Sequence, residues 1–213
     1  MNCIFDPSLV LYLPLYERDG ASFASRDAYG HSCSVTGASW RPCGHYFDGA
    51  DDRIVVAHHS AFDFGTGDFS LEIWIRASSS GGSIQRLISK QSSAWFFFRL
   101  VGGVAILSIR DGTNQQTVTG SSDLKDDIWH HLAVTVDRDS STGLMLSVDG
   151  EIDVTDDATG VGSISNTTAL QIARFSGGAE YFKGDIGEIR IYRRLLTPLE
   201  MKRNYLATKW RYR

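Results

Sequence analysis

The sequence predicts an all-β chain: a two-sheet antiparallel sandwich closed by one short C-terminal helix. Three observations carry this. Apolar residues recur with a period of two in many short runs. Clusters of Gly, Asp, Asn and Ser separate those runs. A single helix-start signal stands near the C-terminus.

The elements follow in chain order. MNCIFDPSLVLYLPLY has no basic stretch before its apolar residues, and Pro14 interrupts it, so it reads as a first strand rather than a signal peptide. In FSLEIWIRA (69–77), Phe69, Leu71, Ile73 and Ile75 alternate with Ser70, Glu72, Trp74 and Arg76, which predicts a strand with one face in a core. SSAWFFFRL (92–100) has two rows: Phe96, Phe98 and Leu100, and Trp95, Phe97 and Arg99. Both are apolar enough for either to face inward. In WHHLAVTVD (129–137), Leu132, Val134 and Val136 alternate with His131, Ala133 and Thr135. In GLMLSVDG (143–150), Leu144, Leu146 and Val148 alternate with Met145 and Ser147. Turn chemistry lies between: SSSGGS at 78–83, DGTN at 111–114, DRDSSTG at 137–143 and FSGG at 175–178. Asp149-Gly150 is the strongest hairpin signal. Thr197-Pro198-Leu199-Glu200 combines an N-cap, a proline at the first helical position and a capping-box glutamate, predicting a helix over about 198–207. That helix would pack Leu199, Met201 or Tyr205 on the sandwich. The basic, aromatic tail Lys209–Arg213 is either docked on the chain or a contact to a neighbouring subunit.

No composition break divides the 213 residues, so residues 1–213 read as one domain. Acidic residues outnumber basic ones, 25 to 21, which argues against a nucleic-acid partner. No apolar run approaches the ~20 residues of a spanning helix, so membrane insertion is not expected. Cys3, Cys33 and Cys43 are too few for a disulfide framework, although Cys33 and Cys43 would meet if their strands paired. His130 and His131 are adjacent, so a strand turns them to opposite faces and they cannot share a metal.

Four stretches occur in order: LVLYLPLYERDG (9–20), FDGADDRIVVAHHSAFDFGTGDFSLEIWIRA (47–77), DIWHHLAVTVDRDSSTGLMLSVDGE (127–151) and FKGDIGEIRIYRRLLTPLEMKRNY (182–205). Together they resemble the laminin-G/pentraxin-like branch of the concanavalin A-like lectin/glucanase superfamily. The resemblance implies a jelly roll of roughly a dozen strands. It also implies binding to glycans or protein surfaces, often with calcium. The pentraxin double calcium site does not carry over, because its first ligand pair falls near Ser92-Ser93 and its acidic loop shrinks to ARFSGGAEYF. Asp48, Asp51, Asp52 and Asp185 are the candidates for one structural calcium; the alternative is a set of turn-forming aspartates.

Glu151-Ile152-Asp153-Val154-Thr155-Asp156 resembles the catalytic strand of β-glucan-cleaving enzymes. Here the Asp149-Gly150 turn precedes it, whereas the enzyme motif lies mid-strand on a cleft floor. A regular strand would turn Glu151 and Asp153 to one face and Asp156 to the other, and only a bulge would bring Asp156 back. Catalysis by this stretch is therefore not expected. The face opposite the core is the better candidate for glycan or partner contact: Glu72, Trp74, Arg76 and His131, joined by Trp95, Phe97 and Arg99 if the rows share a sheet. Aromatic planes stack on sugar C–H faces while Arg, Glu and His bond hydroxyls; the competing expectation is that loops or a neighbouring chain cover these rings. The rim loops 78–83, 111–116 and 174–181 are a further contact surface.

The leading expectation is a non-catalytic recognition or assembly module, extracellular or on a virus or phage particle as a surface protein or tail adhesin; a homo-oligomer or particle subunit fits the same reading. The alternative is a glycoside hydrolase or polysaccharide lyase on the same scaffold.

Overall fold

The computed structural model describes residues 6–18 and 20–213. Its strands in the first half are β1 (Leu9–Pro14), β2 (Ser22–Ala24), β3 (Ser32–Thr36), β4 (Ser39–Arg41), β5 (Gly44–Asp48), β6 (Arg53–Val56), β7 (Phe69–Ala77) and β8 (Ile84–Gln91). The second half adds β9 (Trp95–Val101), β10 (Val104–Arg110), β11 (Gln115–Thr119), β12 (Trp129–Val136), β13 (Leu144–Val148), β14 (Glu151–Asp156), β15 (Leu170–Ile172) and β16 (Lys183–Tyr192), then helix α1 (Pro198–Thr208). The described residues thus hold sixteen strands rather than a dozen, because several edge strands of three to five residues extend each sheet.

All pairings are antiparallel. The first sheet runs β14-β13-β12-β7-β16-β5-β4, with β1 also on β16, and the second runs β11-β10-β9-β8-β15-β6-β3-β2. Apolar rows from both sheets form one core that includes Phe47, Phe69, Ile73, Phe96, Phe98 and Phe182. Phe96, Phe98 and Leu100 therefore face inward, which resolves the ambiguity of SSAWFFFRL: Trp95, Phe97 and Arg99 belong to the opposite row.

The Asp149-Gly150 turn forms as its residues require, with φ of 51° and 81°, the left-handed pair of a two-residue hairpin. The helix also starts as expected. Thr197 Oγ1 accepts from the Glu200 backbone N–H at 3.2 Å, and Glu200 Oε2 accepts from the Thr197 N–H at 2.8 Å. Met201 is the buried apolar contact of this helix, whereas Leu199 is 56% exposed. Cys33 lies in β3 of the second sheet and Cys43 in the β4–β5 turn of the first. Their strands never pair, so the proposed bridge is not formed. Cys3 lies outside the described residues.

Candidate functional site

The first sheet's outer face is where the sequence placed Glu72, Trp74, Arg76 and His131. Register confirms that they share it: Trp74 pairs with His131, and Arg76 with Trp129. Three of the four are not accessible. The C-terminal segment lies over them, with the Tyr212 ring stacked on Trp74 at 4.3 Å and Trp74 Nε1 donating to Thr208 Oγ1 at 2.9 Å. Asn204 Nδ2 donates to both Glu72 oxygens, at 2.9 and 3.1 Å. Glu72, Trp74 and His131 are each 2% exposed. Of the two expectations for the tail, docking on its own chain is the one observed. Burial pushes the Glu72 carboxyl up to about 7 and the His131 imidazole down to about 3.

Arg76 lies beyond the cover, and a groove opens there. A cavity of about 450 Å³ is lined by Arg41, Arg76, Asp127, Ile128, Trp129 and Asp185, among others. A second, of about 280 Å³, shares Trp129 and Tyr212 with it, and a third, of about 200 Å³, shares Arg41, Arg76, Asp127 and Asp185. They form a run along the outer face beside the docked tail. Arg76 donates to Asp185 Oδ2 from Nε at 3.1 Å and from Nη2 at 2.8 Å. Arg41 Nη1 donates to the same carboxylate at 3.2 and 3.3 Å and lies over the Tyr46 ring at 3.9 Å. The Arg76 guanidinium lies 5.5 Å from the Trp129 ring centre. Both arginines keep much of their surface in solvent, 38% and 44% of their side chains, while Asp185 is buried between them. Donors oriented by one carboxylate, next to an aromatic wall, suit a ligand with hydroxyls and C–H faces.

This placement removes Asp185 from the calcium candidates, since two guanidiniums hold its carboxylate. Asp48, Asp51 and Asp52 remain together, with one carboxylate oxygen of each within 4.8 Å of the others. Turn roles occupy part of this set: Asp48 Oδ1 accepts from the Ala50 N–H and Asp52 Oδ2 from the Asp48 N–H, both at 2.8 Å.

Trp95, Phe97 and Arg99 lie on the second sheet, so the two rows do not share a face. Cross-strand partners define what surrounds them. One row reads Gln115, Arg110, Trp95, Gln91; the next reads Thr117, Ser108, Phe97, Ser89, Gln171; a third reads Ile106, Arg99, Arg86. Trp95 and Phe97 stack at 4.6 Å, and Arg86 and Arg99 lie over Phe97 at 4.1 and 4.7 Å. The loop after β15 folds back onto this face: Ser89 Oγ donates to the Arg174 carbonyl at 3.0 Å, and Glu180 pairs with Arg86. Burial lowers the Arg86 guanidinium from its ordinary value, partly offset by Glu180.

The acidic strand β14 is an edge strand, and it is not regular. Its register slips between Leu146 and Ser147, so Val154 pairs with Leu146 and Ile152 with Ser147, leaving Asp153 in a bulge. The expected separation of Glu151 from Asp156 is thereby corrected: both pair with positions on the core-side row, Val148 and Leu144. They remain on an exposed edge with local partners. Glu151 meets Lys202 at 2.6 Å, Asp153 accepts from the Ser121 N–H at 2.8 Å, and Asp156 Oδ1 accepts from the Asp157 N–H at 2.8 Å.

Sequence reasoning missed Arg41, Trp129 and Tyr212 in the groove, and Arg86 and Glu180 on the second sheet. Trp129 and Arg86 had a usable signal, since each opposes a residue already singled out once the strands are paired. Arg41 and Glu180 sit near turns, where no periodicity points.

A family model described as the concanavalin A-like lectin/glucanases superfamily matches residues 48–202. Comparison with curated proteins finds no match. Among solved structures, the binding domain of botulinum neurotoxin serotype G superposes with a TM-score of 0.77 at 15% identity, over 94% of this chain and 51% of that one. The binding domain of Paraclostridial Mosquitocidal Protein 1 gives 0.73 at 15%, over 94% and 52%. The binding domain of botulinum neurotoxin DC in complex with SialylT gives 0.75 at 13%, again over 94% and 52%. The chain spans about half the length of these structures, and at such identities the likeness concerns the fold.

Proposed function

Since the chain belongs to the concanavalin A-like lectin/glucanase superfamily, we propose that it is a non-catalytic recognition module that contacts glycan or protein surfaces through the groove beside its docked tail. The groove carries this reading: Trp129 forms an aromatic wall next to two arginines that Asp185 orients and that still face solvent. Similar structures include binding domains of toxins, one solved with SialylT, which supports a role in recognition. A glycan array probed with and without calcium tests it. Binding to a restricted set of glycans, lost on Trp129→Ala with the fold intact, is expected; binding unchanged in that variant removes the groove from the reading.

We also propose a place on a virus or phage particle, as a surface or tail adhesin protein. Mass spectrometry of purified particles is expected to find the chain, and particles that lack it would end this reading. The enzyme alternative draws on Glu72, a carboxyl raised as a general acid requires. Its position under α1 weighs against it, because substrate would have to lift the helix. Incubation with β-1,3- and mixed-linkage glucans is expected to release no reducing ends.

A further inference from the structure

We propose that the outer face of the second sheet, centred on Arg86, Arg99, Phe97 and Trp95, binds a saccharide carrying a carboxylate or sulfate, and that Glu180 holds the anion position until such a ligand displaces it. This deepens the recognition reading and rests on it for the saccharide class, but it concerns the sheet opposite the groove.

The first observation is unmet bonding capacity. Arg86 is 3% exposed, yet its Nε and Nη1 have no hydrogen-bond partner among the described residues. The Nε atoms of Arg99 and Arg110 are also buried and unpartnered, as are the side-chain oxygens of Gln91 and Gln171. Buried polar groups are normally satisfied, and a guanidinium N–H without an acceptor is costly. Register places these residues on one face. Unmet donors outnumber unmet acceptors, which is the complement of a ligand with hydroxyls and an anionic group.

The second observation is charge around an aromatic pair. The stacked Trp95 and Phe97 rings offer apolar planes for sugar C–H faces. Arg86, Arg99 and Arg110 surround them, and Glu180 is the carboxylate that answers Arg86 and Arg99. It answers them incompletely: one oxygen meets Arg86 Nη2, while the other stays 3.9 Å from Arg99 Nη1. A sulfate or carboxylate flanked by ring hydroxyls supplies more acceptors than this one side chain.

The third observation is how Glu180 is held. Its φ of 55° lies in the left-handed region, which a non-glycine residue occupies at a cost. Displacing the loop would relieve that conformation and uncover Arg86, which the loop's backbone and side chain now contact.

Calorimetric titration of the full chain tests the proposal, with a heparin-derived hexasaccharide as the sulfated probe, an oligogalacturonate as the carboxylated probe and cellohexaose as the neutral one. Binding of at least one acidic probe is expected, in preference to cellohexaose. Arg99→Gln, at a half-buried position and with its melting checked against the parent, should weaken it at least tenfold. Glu180→Gln should tighten it at least threefold, a gain that a purely structural Glu180 would not produce. Arg203→Gln, at an exposed position of α1 that belongs to neither site, should leave it unchanged. The site is overturned if neither the parent nor the Glu180→Gln chain binds an acidic probe, if cellohexaose binds equally well, or if Arg99→Gln has no effect. Glycan binding lost on Arg76→Gln but kept in Arg99→Gln would sustain the groove and reject this face. Polyglutamate binding as tightly, with the same variant pattern, would reject the saccharide assignment.

Discussion

Glu72 couples the outer face of the first sheet to pH. Its carboxyl sits at about 7 in the fold against an ordinary 4.5, because burial disfavours the anion more than Arg190 and Asn204 favour it. The folded chain therefore holds a proton that the unfolded chain releases. That contribution to stability is full below about pH 4.5 and is lost as pH rises through about 7. His131 runs the other way: its contribution is full above its ordinary 6.5 and is lost as pH falls toward about 3. Glu72→Gln mimics the protonated acid and isolates the first effect. Relative to the parent, the variant should gain on the order of 2 kcal/mol between pH 4.5 and pH 8. Denaturant titrations at both pH values measure this, and a parent–variant difference independent of pH would refute the assignment. The pattern FSLEIWIRA placed Glu72 opposite the core, which was correct, but alternation cannot say whether that face meets water or a helix.

At the scale of elements, α1 and the β13–β14 hairpin brace each other. An ideal Cβ on Gly150 would fall 2.9 Å from Tyr205 Cδ1 and 3.3 Å from Lys202 Cα, at a residue whose φ is +81°. Gly150→Ala should thus cost more than the turn alone, about 2 kcal/mol or above. Thr197→Ala removes the N-cap acceptor and should cost about 1 kcal/mol. Gly187 has a parallel role, since a Cβ there would lie 2.4 Å from the Tyr212 ring that closes over Trp74. Tyr212→Ala should cost about 3 kcal/mol. Chemical denaturation reads all three, and a Tyr212→Ala chain as stable as the parent would mean that the tail is not held as described. The capping box and the Asp149-Gly150 turn were legible because their chemistry is local. The bulge at Asp153 was not, since it is set by pairing with a strand whose register no local motif states.

For the whole molecule, the two proposed contact surfaces lie on opposite sheets, which leaves room for two separate contacts. A structural calcium at Asp48, Asp51 and Asp52 remains a proposal, and melting with and without chelator tests it. A rise in melting temperature with calcium, reversed by chelator, is expected from a bound ion; an unchanged melt would leave the three as turn-forming aspartates. Asp185 was grouped with them by its acidity and its place in a shared motif. Arg41 and Arg76, brought to it from two other strands, give it another partner.

The sequence by itself determined the all-β class, the inward rows of most long strands, the tight hairpin and the helix start. Each depends on periodicity or on chemistry within a few residues. Only the tertiary structure decided which outward residues stay accessible. Trp74 and His131 are covered by a segment some seventy to a hundred and forty positions away in the chain, and Trp95 and Arg99 fall on the other sheet. Strand order, not strand pattern, assigns a row to a sheet and sets what packs above it, and strand order is written in no single stretch of the chain.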